Sequence, residues 1–294
     1  ALAQGLIWGV MAIGVYITYK VLDIADLTVD GSICTGAAVC TMLLLGGQSP
    51  WLALLCAVLA GVLAGAVTGL LHVGLGIPPI LAGILTQMVL WSVNLKLLGK
   101  ANQALPARTT PVLLSQMDVG GALPVLLGFC VVLVALLVLF FGTELGCALR
   151  ATGCNPVMSR AQGVNTGLMK VIGLALSNGV VALSGALLCQ YQGYTDVNMG
   201  RGAVVIGLAA VVIGQAVLGR RGGRMTVQLG GVILGAVIYY IVYQVIIFAG
   251  FDTDLLKMFS AVVVAVFLGA PHVKAQLKAH SRSKKGDSGH AENE

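Results

Sequence analysis

Charge is what this sequence has least of: only 10% of its 294 residues are Asp, Glu, Lys or Arg, and 11 are acidic. Soluble domains carry about 25% charged and about 45–50% apolar residues, whereas 58% are hydrophobic here. So apolar a chain cannot hide its surface in one water-soluble core, which excludes an ordinary soluble domain. Proline is scarce at 8 residues against 40 glycines. Glycine in a soluble helix costs about 1 kcal/mol, whereas between membrane helices it lets backbones approach closely. Enzyme signatures are missing as well. The four histidines (His72, His272, His280, His290) are scattered, and no H-E-x-x-H, G-x-S-x-G or G-x-x-x-x-G-K-[ST] occurs. The chain therefore reads as a non-enzyme with no cofactor and no means of binding ATP itself. The seven cysteines show no C-x-x-C spacing and sit mostly in apolar runs, as small packing residues do.

What is present is a series of apolar segments. A bilayer-spanning helix needs about 20 mostly apolar residues, and nine segments approach this: Leu2 to Tyr19, Leu27 to Leu45, Trp51 to Val73, Pro78 to Leu98, Gly121 to Phe141, Leu168 to Gln190, Ala203 to Leu218, Val227 to Ala249 and Leu255 to Leu268. The expected fold is an all-α integral membrane protein of eight to ten transmembrane helices. Its membrane domain covers residues 1–270, and a basic, polar tail covers 271–294. The first segment lacks a basic leader and a clear cleavage site, so it reads as a membrane helix and not as a removable signal. Gly61, Gly65 and Gly69, and again Gly231 and Gly235, recur at four-residue spacing, the mark of close helix contacts.

Lys and Arg collect on the cytoplasmic side of membrane proteins. Lys20, the 143–167 connection with Lys170, the GRRGGR turn from Gly219 and the tail together hold 12 of the 17 basic residues. These regions are separated by pairs of spans and share a side, which places the N-terminus outside and the C-terminus in the cytoplasm. The net charge of +6 is then topological and needs no nucleic-acid partner.

Two stretches are alike: DLTVDGSICTGAAVCTMLLLGG from Asp26, and TDVNMGRGAVVIGLAAVVIGQAVLG from Thr195. Each passes from a polar, Gly-containing segment into a small-residue apolar helix, and they run in opposite directions across the membrane. That is an inverted-repeat pattern, and paired helix interruptions of this kind point to a translocation pathway. Asp30, Ser32, Thr35, Asn198 and Arg201 are the candidate pathway residues, with helix capping as the competing role. Asp30 is the one plausible intramembrane acid. As a capping carboxylate it would be favoured by the helix dipole, and the sequence leaves both roles open. A single acid with no histidine network is thin support for an ion-coupled secondary transporter, and a membrane-embedded enzyme finds no catalytic cluster. The 143–167 connection is too polar to cross the membrane. A helix around Pro156 to Gln162 could dock a soluble partner or lie on the lipid surface.

The run from Leu149 to Gly200 resembles the hallmark region of ABC importer permeases of the branched-chain amino acid and ribose class. Arg150, Gly153, Asn155, Gly163, Val164 and Asn165, then Ser184 and Gly185, stand at the family's motif positions, and VVIGQAVLGRRGGRMTVQLGGVILG is similar to a second family segment. The wording ITYKVLDIADLTVDG is similar to a subgroup paired with binding proteins for aromatic amino acids. The resemblance implies a homodimer of permeases in the bacterial inner membrane. It also implies two cytoplasmic ATP-binding subunits, which hold the ATP and Mg, and an extracytoplasmic solute-binding protein. Pro156 to Gly163 would form a cytoplasmic coupling helix, with Arg150, Gly153, Asn155, Pro156, Arg160 and Gly163 as the ATPase-coupling residues. For Arg150 and Arg160, plain cytoplasmic placement is the competing reading. The solute implied is a small polar one, an amino acid of aromatic or branched-chain type, with a sugar or nucleoside as the alternative.

Overall fold

The computed structural model describes residues 1–106, 112–116, 119–218 and 224–248, with isolated positions 262 and 265. They are almost entirely helical: α1 (Leu2–Tyr16) continues into a π-helical turn (Ile17–Val21), and α2 (Val29–Leu45), α3 (Pro50–Gly74), α4 (Pro79–Leu98) and α5 (Val119–Gly142) follow. Two short helices, α6 (Glu144–Cys154) and α7 (Pro156–Ala161), lead to α8 (Thr166–Gln192), α9 (Ala203–Leu218) and α10 (Met225–Phe248). Contacts divide the chain into a unit of Ala1–Ile241 and a second from Val242 onward, of which the end of α10 is the main described part. All packing below belongs to the first unit.

Six of these helices are long and apolar enough to cross a membrane: α1 with its π turn, α3, α4, α5, α8 and α10. Eight of the nine apolar segments thus form helices, but α2 and α9, at 17 and 16 residues, are shorter than a full span. Each is cut short by a polar stretch at its N-terminal side. The ninth segment, the tail and most of the GRRGGR turn lie outside the described residues.

Burial sorts the helices into an inside and an outside. About 78% of the α1 window and 72% of the α8 window are buried, against 22% for α5 and 28% for α4. The outward faces of α3, α4 and α5 present Trp51, Leu63, Val89 and Leu139, large apolar side chains that would be unfavourable in water and suit lipid. The centre is held by small residues. Gly61, Gly65 and Gly69 of α3 lie directly against Asn178, Leu174 and Val171 of α8, so the four-residue glycine spacing is one contact stripe. At Gly185 of α8 a Cβ would run into the carbonyl oxygen of Ile33 in α2, and at Gly36 of α2 into that of Ala182. Backbone blocks backbone at both places, so no side-chain rotation offers relief. We expect Gly185→Leu to separate α2 from α8 and to sharply lower the detergent-extracted yield and the melting temperature, both read by fluorescence-detected gel filtration on heating.

The ends of the bundle are tied by polar contacts. β1 (Asn102–Ala104), after α4, pairs antiparallel with β2 (Tyr194–Asp196), after α8, with Gln103 opposite Thr195. The C-terminal ends of α4 and α8 therefore lie at one end of the bundle. Near the other end of α8, Lys170 Nζ meets His72 Nε2 of α3 at 3.3 Å, while His72 Nδ1 meets the Ile77 carbonyl at 2.8 Å. His72 is thereby occupied structurally.

Candidate solute cavity and coupling segment

Two chain interruptions build the site, and both begin with the same turn. Asp26 Oδ1 accepts the Thr28 N–H at 2.9 Å, and Asp196 Oδ1 accepts the Asn198 N–H at 2.6 Å. Asp residues make this bond to the backbone two residues on more readily than most, and it offers the chain an alternative to helix. The first interruption is buried to a degree the sequence did not suggest. Asp26 is 5% exposed, so Asp30 is not the one acid sheltered inside the bundle. Asn178 Nδ2 donates to Asp26 Oδ2 at 2.7 Å and Asn178 Oδ1 accepts Ser32 Oγ–H at 2.6 Å, so one α8 amide holds both ends of the turn into α2. Thr28, Thr68 and Thr86 add a buried hydroxyl chain linking the start of α2 to α3 and α4. Every polar atom named here has a partner, as an environment without water demands.

At the second interruption Asp30 reaches across. Its Oδ2 accepts the Gly202 N–H and its Oδ1 the Val204 N–H, each at 3.0 Å. Asp30 therefore lies in the first turn of its own helix and caps the N-terminus of α9. Two helix N-termini, each carrying roughly half a positive charge, converge on one carboxylate. Cys34, one turn on, accepts the Gly200 N–H at 3.2 Å and donates to the Val197 carbonyl at 3.3 Å, which fixes the turn before α9 against α2.

Beside this junction lies a cavity of about 500 Å³, between α2, α4 and the turn before α9. Asp30 and Cys34, Gln87, Trp91 and Asn94, and Arg201 border it. Of the residues suggested by the sequence, Asp30 and Arg201 meet here. Ser32 is fully buried on Asn178, Thr35 donates to the Gly31 carbonyl of its own helix, and Asn198 is exposed beside Asp196. None of these three is on the cavity wall. The α4 contribution was not anticipated, because PILAGILTQMVLWSVNLKLL reads as an ordinary span. Its signal is the pair Gln87 and Asn94, seven residues apart and so on one helix face.

In the polar connection, Asn155 ends α6 and begins α7, its Oδ1 accepting the Val157 and Met158 N–H groups at 3.1 and 3.0 Å. Pro156 takes the first helical position, where its missing N–H is no loss. Gly163 has φ +85, a left-handed conformation suited to glycine, and it closes the turn before Asn165 caps α8. Gly153 lies against the Val21 carbonyl of the π turn, where any side chain would clash. The two arginines are engaged within the chain: Arg150 donates to the Phe141 carbonyl and Arg160 to Thr166 Oγ1, both at 3.1 Å. α7 leaves two large apolar side chains facing outward, Val157 79% and Met158 60% exposed, beside the exposed Arg160.

Interrupted apolar helices beside a cavity with a few polar groups, in an otherwise lipid-suited bundle, mark a membrane protein. The chain belongs to the family described as branched-chain amino acid transport system permease components, which it matches over residues 1–270, and it is a permease of the ABC importer class. It is 38% identical over 280 residues to a tyrosine transport system permease protein of Clostridioides difficile, covering 94% of this chain and 92% of that one. An uncharacterised protein of Rickettsia prowazekii is 33% identical over 273 residues, 92% of this chain and 96% of its own length. More distant is LsrC of Escherichia coli, an autoinducer 2 import system permease, 28% identical over 239 residues, 78% of this chain and 66% of that protein. No solved structure shows a significant match.

Proposed function

We propose that this permease carries an aromatic amino acid, tyrosine first, inward across a bacterial inner membrane. It would work as a pair of copies on two ATP-binding subunits, with an extracytoplasmic binding protein delivering the solute. The observation that carries the solute reading is the Asp30–Arg201 cavity with Trp91 and Met88 along its α4 wall, taken with the 38% identity to a tyrosine permease. A carboxylate and a guanidinium suit a zwitterion, and an indole suits an aromatic ring. Asp30, Arg201 and their neighbours line the solute path. The paired Asp26 and Asp196 turns, each ahead of a short apolar helix, support an inverted repeat in which α2 and α9 correspond.

The coupling helix is α7, offered to the ATPase through Val157 and Met158. Arg150 and Arg160 shape that segment, and both they and the tail face the cytoplasm. ATP and Mg belong to the partner, whose closure would swing the permease between outward-open and inward-open states.

The test is co-expression of the tagged chain with candidate ATPase and binding-protein subunits from the same organism, followed by purification and reconstitution. We expect the ATPase and a second permease copy to co-purify, and tyrosine uptake to require ATP and the binding protein. Uptake driven by an ion gradient from the isolated chain would overturn the reading in favour of a secondary transporter.

A further inference from the structure

Asn94 is fully buried, yet neither its Oδ1 nor its Nδ2 meets a hydrogen-bond partner. Asn178, equally buried, uses both ends of its amide on Asp26, Ser32 and the Leu174 carbonyl. In folded proteins about nine in ten buried polar groups are paired, because an unpaired amide away from water is destabilising. Asn94 also borders the cavity. Its amide has no accessible surface of its own, so it lies just behind the wall, where a solute in the cavity pairs it once the side chains in front of it shift.

Its position says what kind of solute would reach it. Gly31, next to Asp30, packs against Gln87 of α4, and further along Ala38 of α2 clusters with Leu98 and Leu95 of α4, so α2 and α4 run side by side in the same direction. Asp30 is therefore level with Gln87, and Arg201 adjoins Gly202, whose N–H Asp30 accepts. Asn94 stands seven residues, two helical turns or roughly 10 Å, beyond that level, with Trp91 between. The cavity thus offers charged groups of both signs, then an aromatic wall, then an amide able to donate and to accept. A solute with a zwitterion at one end, an aromatic ring, and a hydroxyl at the far end matches these in order and in scale.

We propose that Asn94 is a specificity-determining residue of the permease, its amide hydrogen-bonding the ring hydroxyl of a hydroxylated aromatic amino acid. This rests on the amino-acid reading of the cavity given above. It adds that the membrane subunit itself distinguishes tyrosine from phenylalanine, apart from any selection by the binding protein.

The test uses the reconstituted complex with saturating binding protein, comparing uptake of tyrosine and phenylalanine by wild type, Asn94→Ala and Asn94→Leu, with melting temperatures of the same preparations. Loss of one hydrogen bond to a buried polar group should lower the tyrosine-to-phenylalanine uptake ratio roughly tenfold in both variants. Asn94→Leu should melt no lower than wild type, because it breaks no bond within the protein. A fall in both uptakes by the same factor together with a lowered melting temperature would assign Asn94 to the framework, through a bound water for example, and overturn the proposal. An unchanged ratio would overturn it too. If the wild-type complex moves neither amino acid, the solute reading itself fails and the hydroxyl-selecting role with it. That outcome is separable, because it is seen before any variant is made.

Discussion

Asp30→Ala is expected to abolish uptake in the reconstituted complex, whereas Asp30→Asn should lose most uptake and keep the fold. The carboxylate accepts the Gly202 and Val204 N–H groups at the start of α9 from a helix 172 residues earlier in the chain. Alanine strands both donors beside the cavity, and the partly buried Val204 N–H is the more costly to leave unpaired, at up to about 1–3 kcal/mol. The α9 N-terminus would then separate from α2, and the cavity would lose its shape along with its negative group. Asparagine still offers one oxygen but removes the charge on which two helix N-termini converge. Uptake and melting temperature, measured side by side, separate the two effects: a large fall in uptake without a fall in melting temperature for Asp30→Asn assigns the charge to transport. Near-normal uptake by Asp30→Ala would remove Asp30 from the path.

The second large effect is expected at α7. Changing Val157 and Met158 together to aspartate should reduce the ATPase recovered with the tagged permease to less than about a tenth. A few central contacts carry most of an interface's binding energy, about 2 kcal/mol or more each, and two buried carboxylates there would be strongly opposed by desolvation. Both side chains point away from this chain's own core, at 79% and 60% exposure. The melting temperature of the permease alone should therefore stay close to wild type, as for most surface changes. Charge reversal at Arg150 or Arg160 is a less direct probe, because each holds a bond within the chain, to the Phe141 carbonyl and to Thr166. An unchanged ATPase recovery would place the coupling surface elsewhere.

Particular elements show why some features were readable in advance. α9 begins and ends where its apolar run does, at Ala203 and Leu218. The glycine stripe of α3 was visible as a spacing, and only its partner, α8, was not. Asx-type turns at Asp26 and Asp196 are local, made by a side chain and an N–H two residues on, and so are written into short stretches of sequence. By contrast, Asp26 looked like part of a polar connection, because its burial depends on Asn178, far along the chain. Ser32 and Thr35 looked like path residues because they follow Asp30, but successive residues of a helix point about 100° apart, and both turn away from the cavity.

Membrane residence, the apolar segments and the permease family follow from composition and short motifs, since hydropathy and local turn chemistry act over a few to about 20 residues. The meeting of Asp30, Arg201 and Asn94 at one cavity was decided only by tertiary structure. Those three come from α2, from the turn before α9 and from α4, and the close contacts of Gly31 on Gln87 and Leu90 and of Gly200 on the Asp30 carbonyl set their spacing. In a bilayer, a polar group's meaning depends on which partner the packing supplies, because no water is there to satisfy it otherwise.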